Sequence, residues 1–282
     1  MLASLEVAAF YSLVIATTLS MLLYMIWLGS KIEFVGKLAT YGTLFALFAS
    51  MSAIILRMVT SGHAPLSNGY EFLLTFVAGI LAVYLFAEFR YQLKSLGAFV
   101  MPIPFLLLMF IIMSMGPDER IAQAIPPALK SQWLTFHVLT AMFAYGAFAI
   151  SFGLGIMYLL KFSQTENGQK SSPKGFVSRF PELEKLDELS YKAVGFAFPL
   201  LTLCIITGAI WANYAWGTYW SWDPKETWSL ITWIIYAGYL HARLMYGWKG
   251  KRAAWLTIFG FVAVLFTFFG VNYLLPGLHS YA

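Results

Sequence analysis

The chain has 282 residues, of which 60% are hydrophobic and only 11% charged, and it carries a net charge of +5 at pH 7. Soluble domains hold about a quarter of their residues as charges, so this composition excludes an ordinary soluble enzyme and implies a polytopic membrane protein. The positive balance comes with no basic soluble domain and is not the footprint of a nucleic-acid partner.

Runs of about 20 apolar residues, the length that crosses a bilayer, predict an all-α fold with eight spans at 7–29, 37–57, 70–89, 96–115, 132–160, 192–213, 225–246 and 254–275. The N-terminus, Met1 to Glu6, lacks the basic stretch of a cleavable signal, so the first span is expected to be retained. Pro102 and Pro104 in the fourth span, and Pro199 in the sixth, mark places for kinks. Residues 162–190 mix Lys and Arg with Glu182, Glu184, Asp187 and Glu188 and read as a connecting loop with a short amphipathic helix. The whole of 1–282 reads as a single transmembrane domain. Lys31, Lys37, Arg90, Lys94, the group from Lys161 to Lys192, and Arg243, Lys249, Lys251 and Arg252 fall at alternate helix ends; Arg57, Arg120, Lys130 and Lys225 fall at the others. The excess predicts that the richer ends face cytoplasm or stroma and that both termini are extracytoplasmic.

Cys204, the chain's single cysteine, lies in the sixth span. Disulfide exchange needs a second thiol, so thiol redox chemistry by this chain alone is excluded, and Cys204 reads as a small buried apolar residue.

Between the sixth and seventh spans, residues 214–228 contain Trp216-Gly-Thr-Tyr-Trp220-Ser-Trp222-Asp223-Pro-Lys-Glu-Thr-Trp228, four tryptophans in thirteen residues. Tryptophan offers a large rigid face, and several converging make a stacking platform for a flat apolar ligand. An interfacial aromatic belt is the plainer alternative, but a belt does not require the accompanying Asp223, Lys225 and Glu226. Asp223 has the character of an N-cap, with Pro224 at the first helical position and Glu226 at the third. Lys225, at the same end, could meet an anionic group of the ligand or a lipid headgroup.

Four histidines remain to be placed. His63 sits in the loop Ser61 to Glu71. His137 begins the fifth span and His279 follows the eighth, which puts both at the Trp-loop end. His241, 17 residues after Pro224, lies about 26 Å along its helix toward the opposite end. A structural hydrogen bond is the plainer role for any one interfacial His, but two of them flanking a Trp platform suit the axial positions of a haem, whose iron accepts neutral imidazole. His241 could serve a second haem and would then need a ligand from outside the chain. Zinc held by His137, His279, Asp223 and Glu226 is a weaker alternative, because a zinc site wants polar rather than aromatic surroundings.

The Trp216 to Trp228 motif, His137 in Leu-Thr-Phe-His-Val, His241 in Leu-His-Ala-Arg, the terminal Gly270-Val-Asn-Tyr-Leu-Leu-Pro-Gly-Leu-His279-Ser-Tyr281 and the loop Ser61 to Glu71 resemble the CcsA (ResC) family of cytochrome c biogenesis, whose Trp-rich stretch is the WWD motif. The related CcmC and CcmF proteins share a Trp motif, but the C-terminal Leu-His-Ser-Tyr and the eight-span length favour CcsA. The resemblance implies haem transport to the extracytoplasmic side and its presentation to a Cys-x-x-Cys-His apocytochrome c, within a haem-lyase type synthetase. It implies non-covalent haem b at two places: an external haem on His137 and His279, held by Trp216, Trp220, Trp222, Asp223 and Trp228, and a membrane haem with His241 as one ligand and the partner CcsB (ResB) supplying the other. A thiol-reducing partner is also implied, and either a bacterial cytoplasmic membrane or a thylakoid would suit. A membrane transporter and a quinone-linked b-type electron carrier are the rivals. The first is disfavoured by the lack of an internal repeat, the second by the single deep histidine. The role of His63 stays open between orienting its loop and contacting haem.

Overall fold

The computed structural model describes residues 2–30, 32–116, 120, 129–166 and 175–275, and among these there are helices and turns but no β-strand. Helices suit lipid because each bonds its backbone groups internally, whereas a sheet edge would leave them unsatisfied. In chain order they are α1 (Leu2–Ser30), α2 (Glu33–Ser61), α3 (Gly69–Tyr91), α4 (Gly97–Val100), α5 (Pro102–Ser114), α6 (Gln132–Glu166), α7 (Leu183–Trp216), α8 (Pro224–Tyr246), α9 (Lys251–Leu265), a π-helical turn (Phe266–Gly270) and α10 (Val271–Leu274). Among the described residues, seven segments are long and apolar enough to cross a membrane, with α4 and α5 joined in one of them. The remaining expected span, 225–246, is the 23-residue α8. It is long enough to cross at about 35 Å, but Lys225, Glu226, His241 and Arg243 together with its hydroxyl-bearing residues make it less apolar than the rest.

Two helices outrun their apolar segments. The 34-residue α7 starts at Leu183, so the amphipathic stretch forms its first turns, after a 3-10 turn at Gly175–Arg179. The 35-residue α6 continues to Glu166. Pro199 lies inside α7 without ending it, whereas Pro102 opens α5, where its missing N–H costs no intrahelical bond.

Small residues set the packing, as expected where helices must approach closely in lipid. The face of α2 buried against α1 carries Gly36, Ala39, Ala46, Ala49 and Ala53. On α6, a Cβ added at Gly146 would meet the Gly79 carbonyl oxygen of α3 at 2.8 Å, so this crossing needs glycine. Helix α6 packs against α3, α7 and α9 and is the central post of the bundle.

Each end of the bundle has a buried ionic tie. At the Trp-loop end, Arg57 of α2 is 2% exposed; its Nε lies 2.8 Å from Glu71 Oε1 of α3 and its Nη1 3.2 Å from Glu6 Oε1 of α1. The other carboxylate oxygen of Glu71 accepts from the Ser67 amide and hydroxyl, both at 2.7 Å, while Asn68 caps α3 by accepting from the Glu71 amide at 3.0 Å. The loop from Ser61 to Glu71 is therefore ordered by its own polar residues. At the opposite end, Arg243 of α8 makes a two-pronged pair with Asp187 of α7 at 3.0 and 2.6 Å, and Asp187 also accepts from the Gly250 amide at 2.8 Å.

Candidate functional site

Helix α7 ends at Trp216 because Gly217 adopts φ 78°, a left-handed cap in which its amide donates to the Asn213 carbonyl at 2.9 Å. The chain then reverses through Thr218 to Trp222 and restarts as α8 by a capping box. Asp223 Oδ2 accepts from the Lys225 amide at 3.1 Å, and Glu226 Oε2 accepts from the Asp223 amide at 3.2 Å and the Ser221 amide at 2.8 Å. The sequence expectation of an Asp223 cap with Pro224 and Glu226 behind it matches this geometry. Trp222 occupies φ +59°, a left-handed value that bulky side chains avoid, and is 68% exposed.

Between this loop and the ends of α3, α6 and α7 lies a cavity of about 1050 Å³, counting its open mouth. Its walls are mostly aromatic and apolar, with Phe72, Phe76, Tyr145, Trp211, Tyr219, Trp220 and Phe268 among them, and its polar groups include His137, Lys225, Glu226 and Thr267.

His137 is held from three sides. Its Nδ1 lies 2.7 Å from the Cys204 carbonyl oxygen, and since a carbonyl only accepts, Nδ1 carries the proton. In the neutral ring the lone pair then sits on Nε2, the nitrogen through which an imidazole of this tautomer would ligate a metal. Metal-binding histidines are fixed in this way, with the second ring nitrogen donating to a carbonyl or carboxylate. Trp211 stacks alongside, with ring centroids 6.3 Å apart and planes at 21°. Gly208 makes room, because a Cβ there would sit 2.8 Å from Nδ1. The donor set and the flat aromatic walls both fit a planar macrocycle carrying iron. The π-turn at Phe266–Gly270 supplies Thr267 and Phe268 to the lining; such turns recur at functional sites because they re-aim side chains.

The other expected site residues occupy different places. Trp220 lines the cavity. Trp216 packs edge-on against Trp211 at 4.9 Å, and Trp228 packs on Phe266 at 4.1 Å. Trp222 meets Trp220 edge-on at 5.7 Å, and Asp223 is a buried cap. His63 is half-buried beside the Ala64 carbonyl, 2.9 Å from Nδ1, and is not among the lining residues. His241 is exposed near the far end of α8, on a stripe with Ile234, Gly238 and Met245. His279 lies outside the described residues. Among the described residues no three His, Cys, Asp or Glu side chains gather as a metal ion would require.

Reading from sequence missed Trp211, Gly208 and Phe268, and also the part played by Cys204, which contributes its carbonyl rather than its thiol.

Fold and cavity together define a helical integral membrane protein with an aromatic, histidine-bearing chamber at one end. Residues 66–279 match the family model described as cytochrome c assembly protein. Proteins named cytochrome c biogenesis protein CcsA are similar to this chain over nearly its full length: 43% identical in Guillardia theta, with 94% of each chain covered, 38% in Porphyra purpurea, with 89% of each covered, and 35% in Gloeobacter violaceus, with 98% of this chain and 95% of that one covered. Among solved structures, cytochrome c heme lyase CcmF shares the fold at a TM-score of 0.69 and 16% identity; the alignment takes in 95% of this chain and 47% of CcmF, so the chain spans about half of that protein's length. The chain belongs to the CcsA family of cytochrome c assembly proteins and is a membrane protein of cytochrome c biogenesis.

Proposed function

We propose that the chain takes haem b from the cytoplasmic-facing side and presents it in the aromatic cavity, on the extracytoplasmic side, as the haem-presenting subunit of a cytochrome c synthetase. Family membership supports the class of activity. The observation that carries the site is His137, with Nδ1–H committed to the Cys204 carbonyl at 2.7 Å inside walls that include Trp211 and Trp220. Haem is the substrate here, and each of its two vinyl groups adds one S–H of a Cys-x-x-Cys-His apocytochrome to form a thioether. The chain's residues bind and orient. His137 and His279 hold the iron from its two faces, and the aromatic walls exclude water and fix the plane, which is where the rate advantage of presentation arises. Trp216, Trp222 and Trp228 shape the loop around Trp220, and Asp223 ties that loop to α8. The basic residues near Lys94, Lys161 and Lys251 support an orientation with the opposite end of the bundle in the cytoplasm or stroma, in a bacterial cytoplasmic membrane or a thylakoid.

His241 would hold one face of a second, membrane-embedded haem, with CcsB supplying the opposite ligand. Its exposure supports this reading, because a ligand awaiting a partner's helix must lie on the outside of its own bundle.

The test is the reduced-minus-oxidised absorption spectrum, with pyridine haemochrome quantitation, of the purified chain with and without CcsB. Sharp bands of low-spin, non-covalent haem are expected. His137→Ala should remove the outer-site haem and stop cytochrome c maturation, and His241→Ala should spare that haem. Unimpaired maturation in His137→Ala, or apoprotein from haem-replete cells, would sink the assignment.

A further inference from the structure

We propose that Tyr145 donates a hydrogen bond to a propionate of the cavity's ligand and so fixes which edge of the macrocycle lies inward; this rests on the haem reading above. Tyr145 is half-buried on α6 and lines the same cavity as His137. Its ring packs edge-on against Phe76, with centroids 5.8 Å apart. Its hydroxyl has no hydrogen-bond partner among the described residues, and unlike the hydroxyls of Tyr236 and Tyr239 it is not sealed inside the protein. The other hydroxyls of the helical walls are committed: Thr75, Ser229 and Thr267 donate to the carbonyls of Glu71, Glu226 and Ala263 at 2.8, 2.7 and 2.8 Å. The Cys204 thiol acts on the phenol electrostatically, but sulfur is a weak acceptor and this one already lies 3.4 Å from His137 Nδ1.

Packing alone does not account for that hydroxyl, because phenylalanine would fill the same place beside Phe76 without a polar atom. Water can serve the phenol while the cavity is open. A flat ligand that displaces the water leaves the donor orphaned unless it brings an acceptor. Haem carries acceptors at one edge only: iron takes its four pyrrole nitrogens, its methyl and vinyl groups accept nothing, and its two propionates share one side of the ring. The phenol is therefore matched to the propionate edge, and its depth gives the orientation. Tyr145 stands eight positions beyond His137 on α6, about 12 Å further from the Trp-loop end. A carboxylate at that depth needs a donor, and the phenol is one. A propionate held there turns the carboxylate edge inward and the vinyls toward the Trp loop, where the thiols of an apocytochrome arrive.

The experiment titrates the full chain, purified in mild detergent from haem-starved cells, with ferric protoporphyrin IX and with ferric etioporphyrin, whose edge bears only alkyl groups, and follows the Soret band. Tyr145→Phe removes one oxygen and keeps the ring. It should weaken protoporphyrin binding about tenfold, the size of a hydrogen bond to a charged group. Etioporphyrin binding should be unchanged or tighter, because the variant no longer strands a donor against an alkyl edge. Equal affinity for protoporphyrin in wild type and variant overturns the role of Tyr145 and leaves the haem site standing. Equal weakening of both porphyrins overturns it too, since the residue would then only shape the wall. No Soret shift with either porphyrin in wild type removes the haem reading as well.

Discussion

His137 and His241 are the same residue in opposite settings. One is half-buried in a cavity wall, its ring fixed by the Cys204 carbonyl, stacked on Trp211 and given room by Gly208. The other is exposed near the far end of α8, with Tyr246 edge-on at 5.6 Å and with Ile234, Gly238 and Met245 along the same stripe. Under the function proposed above, an oriented imidazole in a cavity wall is what one chain would build to complete its side of a site alone. Under the same proposal, an exposed one on an apolar helix face would be half of a site whose other half is brought to it. The contrast lies in the surroundings and not in the residue type, which is why counting histidines cannot assign their roles.

The largest expected effect is on the scaffold of the cavity site. Arg57→Leu leaves Glu6 and Glu71 buried without their cation and should destabilise the chain by about 3–5 kcal/mol, read as a lower temperature of aggregation in fluorescence-detected size exclusion. A stability equal to wild type would mean the tie does not hold the loop beside the cavity. A smaller effect is expected from Gly208→Val, which pushes on the His137 ring. Overpacking of this kind costs about 1–3 kcal/mol, and haem retention at the outer site should fall while haem associated with His241 and CcsB is kept. Equal loss from both sites would erase the distinction between them. The mildest change is Gly238→Leu. A Cβ at Gly238 meets nothing within 4 Å, so the chain alone should tolerate it, yet the added bulk on the exposed stripe should lower co-purification with CcsB several-fold. Undiminished co-purification would place the partner on another face.

Much of the architecture can be read from the sequence because lipid imposes length and apolarity on each span. The Asp223 cap is equally legible, since capping is local and needs only Asp, Pro and Glu in the right order. Helix ends are less so. The first turns of α7 are charged and look like loop until Asp187 is seen paired with Arg243, 56 positions away in sequence. The least legible feature is what fixes His137. Its hydrogen-bond acceptor is a backbone carbonyl, which every residue has, and the space for its ring is the missing side chain of Gly208. Neither leaves a mark in composition or spacing. The Trp cluster, by contrast, draws attention to four residues of which only Trp220 lines the cavity, the lining Trp211 having come from the helix before it.

The π-turn at Phe266–Gly270 bears on how this chain can vary. A π-turn holds one residue more than an α-turn, and each residue of an α-helix turns it by about 100°. Deleting a single residue there would leave a regular α-turn of about the same rotation, so what lies beyond it, Asn272 included, would stay roughly in place while Thr267 and Phe268 lost the aim that the wider turn gives them. A one-residue deletion in this short stretch should therefore alter the cavity wall without displacing the helix beyond it.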